Sequence, residues 1–157
     1  MGAKAFSIAR EKPDSPDVLA LLERHLEEMH RCSPSCKVNA LPAATLSGDD
    51  VRFFAARSAG QLAAIGALKR IDGKRCEIKS MRAADAFRGS GAGKAILDHL
   101  LFVARECGCD WIGLETGRHP VFEPAQKLYE SRGFKECDAF GEYVSDDFSM
   151  CMELHLN

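Results

Sequence analysis

The stretch Arg88-Gly89-Ser90-Gly91-Ala92-Gly93-Lys94 is the part of this sequence best suited to handling an anionic ligand. Glycines at alternate places let the backbone turn tightly, and helical periodicity begins directly behind them. Several main-chain N–H groups therefore gather at a helix N-terminus, where unpaired donors and the positive end of the helix dipole favour phosphate oxygens. Spacing narrows the ligand further. A P-loop needs glycine five residues before the glycine of Gly-Lys and Ser or Thr after the lysine, but Arg88 and Ala95 stand there. The dinucleotide fingerprint fails too, because its sixth place is Ile96 counted from Gly91 and Lys94 counted from Gly89. A tight strand-to-helix connection without a ligand is the alternative reading of this turn.

A second group lies just upstream. Alternation along Arg75 to Met81 puts Glu77, Lys79 and Met81 on one strand face and Cys76, Ile78 and Ser80 on the other. Glu77 could act as a base, although a carboxylate of pKa about 4.3 deprotonates an amine of pKa about 10 poorly unless burial intervenes. Lys79 would lower that pKa further, or hold an anionic part of a substrate. A purely structural pairing of Glu77 with Lys79 or another base of the sheet is the competing reading.

These residues need elements to position them. Ser15-Pro16 caps a helix from about Pro16 to Arg31, with Val18, Leu22, Leu26 and Met29 at helical spacing. The stretch from Cys32 to Gly48 reads as either a short second helix or a loop. Val51–Arg57, Gln61–Arg70 and Arg75–Met81 form a three-strand antiparallel meander, punctuated by Ser58-Ala59-Gly60 and Asp72-Gly73. From Gly91 a helix carries Ala92, Ile96, Leu100, Val103 and Cys107 on one face and stops at Gly108. A strand over Trp111–Glu115, a helix over Pro124–Arg132 stopped by Gly133, and strands near Phe134–Cys137 and Phe148–His155 complete the order β-α-(α)-β-β-β-α-β-α-β-β.

Arg88-x-x-Gly91-x-Gly93 entering a long helix after an antiparallel strand resembles the pyrophosphate loop of the GCN5-related N-acetyltransferases (GNAT). That family's later Leu-Tyr-x-x-x-Gly-Phe signature stands here as Leu128-Tyr129-Glu130-Ser131-Arg132-Gly133-Phe134. Glu77-Ile78-Lys79-Ser80-Met81, Leu114-Glu115-Thr116-Gly117 and Phe140-Gly141-Glu142-Tyr143 resemble a group of small bacterial members. The resemblance implies a single α/β (α+β) domain over residues 1–157, with a central mixed, mostly antiparallel twisted sheet of about six to seven strands flanked by helices. It implies acetyl-coenzyme A as cosubstrate, no metal, and direct attack by a primary amine of a small or amino-acid-like molecule.

Residue by residue, the resemblance makes Glu77 the general base, directly or through a water, and Tyr129 the group that protonates the departing thiolate. It assigns the cofactor to Met81 and Ala83 through main-chain groups, to Arg82 between them, and to Arg88, Gly89, Ser90, Gly91, Ala92, Gly93 and Lys94 at the pyrophosphate. His30, Arg31, Ser33, Lys79, Phe140 and Tyr143 are the candidate acceptor contacts. Phe122 replaces the Asn that many members carry seven residues before the tyrosine, which implies either fewer cofactor contacts from this helix or a shift of them to His119 or Glu123. The resemblance also allows a homodimer. A peptide acceptor and a non-catalytic acyl-coenzyme A-binding module are the alternatives.

Composition agrees with this class and excludes others. The chain has 157 residues, 46% hydrophobic and 28% charged, which excludes disordered and collagen-like proteins. A formal charge of -2 with no block of like charge argues against nucleic acid or anionic membrane as partner. No apolar run approaches a membrane span, and Met1 to Phe6 lacks a signal-peptide core and a myristoylation site, so a cytoplasmic protein is expected. The 7 cysteines include the close pairs Cys32/Cys36 and Cys107/Cys109, neither followed by a second metal-binding pair, so they read as thiols.

Overall fold

The computed structural model describes residues 6–32, 48–141 and 143–156. Its elements are β1 (Ser7–Arg10), α1 (Pro16–Cys32), β2 (Val51–Ser58), β3 (Gln61–Arg70), β4 (Arg75–Ala83), α2 (Ala92–Glu106), β5 (Trp111–Gly117), α3 (Glu123–Ser131), β6 (Lys135–Cys137) and β7 (Ser149–His155). Seven strands form one sheet in the order β1-β2-β3-β4-β5-β7-β6. All neighbours run antiparallel except β4 and β5. The element order expected from the sequence holds. The ambiguous stretch after α1 lies mostly at 33–47, outside the described residues, as do Ser33 and Cys36.

The two sheet faces are covered by different helices, because the strands alternate apolar side chains to both sides. On one face Val18, Leu21 and Leu22 of α1 pack with Phe53, Ile65 and Ala67. On the other, Ile96, Leu97, Leu100 and Leu101 of α2 and Tyr129 of α3 pack with Ile78, Ile112 and Leu114. Each of those fully buried aliphatic side chains contributes about 1.5–3 kcal/mol. Gly66 permits the close approach of α2, since a Cβ there would stand 3.0 Å from Leu100 Cδ1. No helix among the described residues is long and apolar enough to cross a membrane.

Two features of the sheet differ from the reading of the sequence. A bulge interrupts β4: Ala67 pairs with Lys79 but Ile65 pairs with Arg82, leaving Ser80 and Met81 opposite Gly66. Ser80 takes φ 53°, a left-handed conformation costly for a residue with a side chain. The extra residue reverses the alternation, so Met81 joins the α2 face while Glu77 and Lys79 face α1. The expected common face of all three is corrected. Second, Cys76 and Cys109 are joined by a disulfide, with Cα atoms 6.5 Å apart, where free thiols were expected. Cys107, Cys137 and Cys151 are free.

Candidate active site

Strands β4 and β5 pair over only three residues, Arg75↔Trp111 to Glu77↔Gly113. Beyond Glu77, β4 bends at its bulge, whereas β5 continues along β7 as far as Gly117↔Ser149. The strands therefore part, and a cavity of about 600 Å³ occupies the gap. Its lining comes from both sides of the sheet: the glycine turn, Leu128 and Tyr129 on the α2 side, and His25, Glu28, Met29, Lys79 and Tyr143 on the α1 side.

The gap exposes main-chain groups of β4. Ala84 N–H donates to Ala63 O (2.8 Å), which directs Ala84 toward β3. By the alternation of an antiparallel ladder, the N–H and C=O of Ala83 and Met81 then point the other way, toward the gap. Both residues line the cavity. Arg82, between them, turns its main chain toward β3 and its side chain toward α1. There it makes a buried bidentate pair with Glu28 (3.0 and 3.1 Å). Arg82 also lines the cavity, with its main chain turned toward β3.

The glycine turn has the form its sequence suggested. Gly89 (φ 76°) and Gly91 (φ 91°) adopt left-handed conformations, and Gly91 caps α2 without a side-chain bond. The first closed bond into the helix is Ala95 N–H to Gly91 O (2.9 Å), so the N–H groups of Ala92, Gly93 and Lys94 have no intrahelical acceptor, whereas Ser90 N–H donates to Phe87 O (3.1 Å). A Cβ at Gly89 or Gly91 would meet nothing within 4 Å, leaving an open cradle beside those donors. Gly89, Gly91, Gly93, Arg88 and Lys94 line the cavity. Ser90 and Ala92 do not: the Ser90 hydroxyl bonds Phe87 O, and Ala92 is wholly buried. Arg88 is half-exposed and paired with Asp85 (3.3 Å) and Glu28 (3.5 Å).

Tyr129 reaches the cavity from α3, buried and edge-on to Phe134 with centroids 5.8 Å apart. Burial raises its phenol pKa, which keeps the hydroxyl protonated and able to donate. Phe122 also lines the cavity, packing over Gly117 so closely that a Cβ there would lie 2.3 Å from the ring. His119 and Glu123 do not take over the contacts expected of them. The His119 Nδ1 accepts from Val121 N–H (3.1 Å), and Glu123 pairs with Lys127 (3.0 Å), both at the surface.

On the α1 side, Lys79 and Tyr143 line the cavity, and Glu77 lies beneath them. Lys79 Nζ stands 3.3 Å from Glu77 Oε2, and the Tyr143 hydroxyl bonds both Glu77 and Lys79. The pairing of Glu77 with Lys79 that sequence left as an alternative is thus present, and Glu77 reaches the cavity only through these two neighbours. Burial, then the bond to Glu77, raises the Tyr143 pKa. Phe140 does not line the cavity. It sits edge-on between Trp111 (5.1 Å) and Tyr143 (5.3 Å) and supports the latter ring.

His30 and Arg31 sit in a separate exposed groove of α1, with Glu23, Arg24, Leu26 and Glu27. At 100° per residue they are rotated off the stripe of His25, Glu28 and Met29 that faces the cavity. His25 is the cavity histidine that the sequence reading missed. Burial lowers its pKa to about 4, so it is neutral at pH 7. Glu28 and Glu115 were missed as well. The alternation of β5 could have flagged Glu115, but only a known register against β4 would have brought it to the gap.

A family model described as the acetyltransferase (GNAT) family matches residues 18–134. The chain is 39% identical over 135 residues to the uncharacterized N-acetyltransferase YsnE of Bacillus subtilis, covering 86% of this chain and 89% of that one. It is 36% identical over 151 residues to the uncharacterized N-acetyltransferase YedL of Escherichia coli, with coverage of 96% and 95%. It is 32% identical to the IAA acetyltransferase of Azospirillum brasilense, with coverage of 94% and 95%. A crystallised Klebsiella pneumoniae protein, 27% identical, superposes with a TM-score of 0.77 over 97% of this chain and 98% of its own. A split sheet with a glycine turn at its mouth, and relatives matched over most of their length, lead to one assignment: the chain belongs to the GNAT acetyltransferase family.

Proposed function

We propose that this acyltransferase moves the acetyl group of acetyl-coenzyme A directly onto a primary amine of a small molecule or amino-acid-like acceptor, with both substrates held at once in the β4–β5 gap. The observation that carries the reading is the single cavity joining the glycine turn to Lys79 and Tyr143 through the sheet. A small acceptor is favoured by the relative from Azospirillum brasilense, named for the small molecule IAA.

In this reading the N–H groups of the turn, with Arg88 and Lys94, hold the pyrophosphate from the α2 side. The main-chain groups of Met81 and Ala83 hold the pantetheine arm and polarise the thioester carbonyl. When bound, acetyl-coenzyme A supplies an activated acyl carbon. A nitrogen–carbon bond forms, the carbon–sulfur bond breaks, and the thiolate leaves. Tyr129 gives its proton, or a hydrogen bond, to that sulfur. The amine proton passes to Glu77 through the Tyr143 hydroxyl, because Lys79 and Tyr143 cover the carboxylate.

Acetyl-coenzyme A at a hundredfold excess over Kd should raise the melting temperature by roughly 5–10 °C. Gly91→Glu, which puts bulk and charge into the cradle, should abolish that rise. Thiol release with a panel of amines should fall at least about tenfold in Glu77→Gln and in Tyr129→Phe. No thermal shift at millimolar acetyl-coenzyme A sinks the reading. Unchanged turnover in both variants sinks the two role assignments.

A further inference from the structure

The last paired residues of β4 and β5, Glu77 and Gly113, point to the same side of the sheet. Two residues further along each strand, before the bulge of β4 takes effect, come Lys79 and Glu115. Both stay on that α1 side and both line the cavity. The gap is therefore flanked by an ammonium on one strand and a carboxylate on the other, with the Tyr143 hydroxyl above them. The other charged residues of this side, Arg82 and Glu28, bond each other twice and extend through Arg88 and Asp85 toward the glycine turn. Lys79 gives two donors to Glu77 and Tyr143, and a lysine ammonium has three.

We infer that the acceptor is a free α-amino acid, whose carboxylate is held by Lys79 and whose amine is held by Glu115 at the mouth of the gap. In such a molecule one carbon separates the two charges, so a cation and an anion on opposite lips match it in sign and order. Glu115 is a residue that the acetyltransferase reading leaves without a role. A simple amine would bring no anion to Lys79, and a peptide N-terminus would offer it an amide instead of a carboxylate. The inference rests on the reading of the chain as an acetyl-coenzyme A-dependent enzyme and commits the acceptor side of the same cavity to one class.

The test is thiol release from acetyl-coenzyme A with the standard L-α-amino acids, each compared with its own α-amide and its decarboxylated amine. At least one free amino acid should react with a kcat/KM about tenfold or more above its amide. Lys79→Gln should reduce that ratio to about one, mainly by raising KM for the acid. Glu115→Gln should slow acid and amide alike, by about tenfold or more. Each variant is checked for an acetyl-coenzyme A-dependent rise in melting temperature, and Lys79→Met and Glu115→Asp replace any that lack it. Amides or simple amines reacting as well as the acids, or a ratio unmoved by loss of Lys79, overturns the inference and leaves the acetyltransferase standing. Thiol release with no compound at all overturns that reading and this inference together.

Discussion

His25 joins an imidazole in the cavity wall to a nitrogen, Nδ1, that is buried and has no hydrogen-bond partner among the described residues. Burial, and the charge of Arg82 beside it, hold its pKa near 4 against 6.5 for an unperturbed imidazole. Between those two values the unfolded chain binds a proton that the folded chain refuses, so stability rises with pH across that window and is lost as pH falls through it. At pH 5 the loss is at most about 2 kcal/mol. Urea denaturation at pH 7 and pH 5 should show His25→Gln losing less stability on acidification than the parent, by up to that amount. Equal losses in the two proteins would mean that His25 takes up its proton while folded. Glu28 works in the same direction: its bond to Arg82 lowers its pKa, so its contribution is present above the ordinary carboxylate range and is lost in acid.

The pairing of β4 with β5 depends on a residue with no side chain. Gly113, opposite Glu77, lies under the Trp111 ring, and a Cβ there would stand 2.3 Å from Trp111 Cη2 and 2.9 Å from Phe140 Cζ. Those two rings and Tyr143 form an edge-to-face chain, and the Trp111 Nε1–H donates to Glu153 (2.8 Å). Gly113→Ala must therefore displace the ring system that seats the Tyr143 hydroxyl over Glu77. It should cost about 1–3 kcal/mol by overpacking and lower turnover as well. Denaturation and steady-state assays on one preparation check both effects. Full stability would show that Trp111 has room to move, and full activity would separate the position of Tyr143 from catalysis. The bulge on β4 is the other half of this device. By accepting a left-handed Ser80 it turns Met81 to the α2 face and Arg82 to the α1 face.

Across the molecule, the gap opens at only one end because the other end is held. Cys76 is the middle one of the three paired residues of β4, Cys109 precedes β5, and their disulfide closes a loop of sequence separation 33. A cross-link of that span removes roughly 3–4 kcal/mol of unfolded-state freedom in the chain-entropy view. Thermal denaturation with and without reductant should show a lower melting temperature once the bond is cut, and Cys76→Ser with Cys109→Ser should abolish the difference. A parent protein indifferent to reductant would show that β-pairing alone holds the two strands. α1 is tied to the glycine turn through Glu28, which bonds Arg82 and pairs with Arg88 of the turn, so the two sides of the cavity share one ion-pair network.

Local rules sufficed for the elements and for the anion cradle. Hydrophobic periodicity, a proline-led helix start and glycine stops place the helices, and two glycines ahead of α2 with a third in its first turn shape the anion cradle, because those effects act between residues near in sequence. Lys79 and Tyr143 were also legible, through motifs that resemble a known family. Tertiary structure alone decided the acceptor side. One inserted residue in β4 reversed the face of Met81, the helical phase of α1 exchanged His30 for His25, and the parallel register of β4 with β5 brought Glu115 opposite Lys79. Cys76 met Cys109 for the same reason. Each of these depends on pairing between segments far apart in sequence, where a shift of a single residue changes which side chains face the cavity.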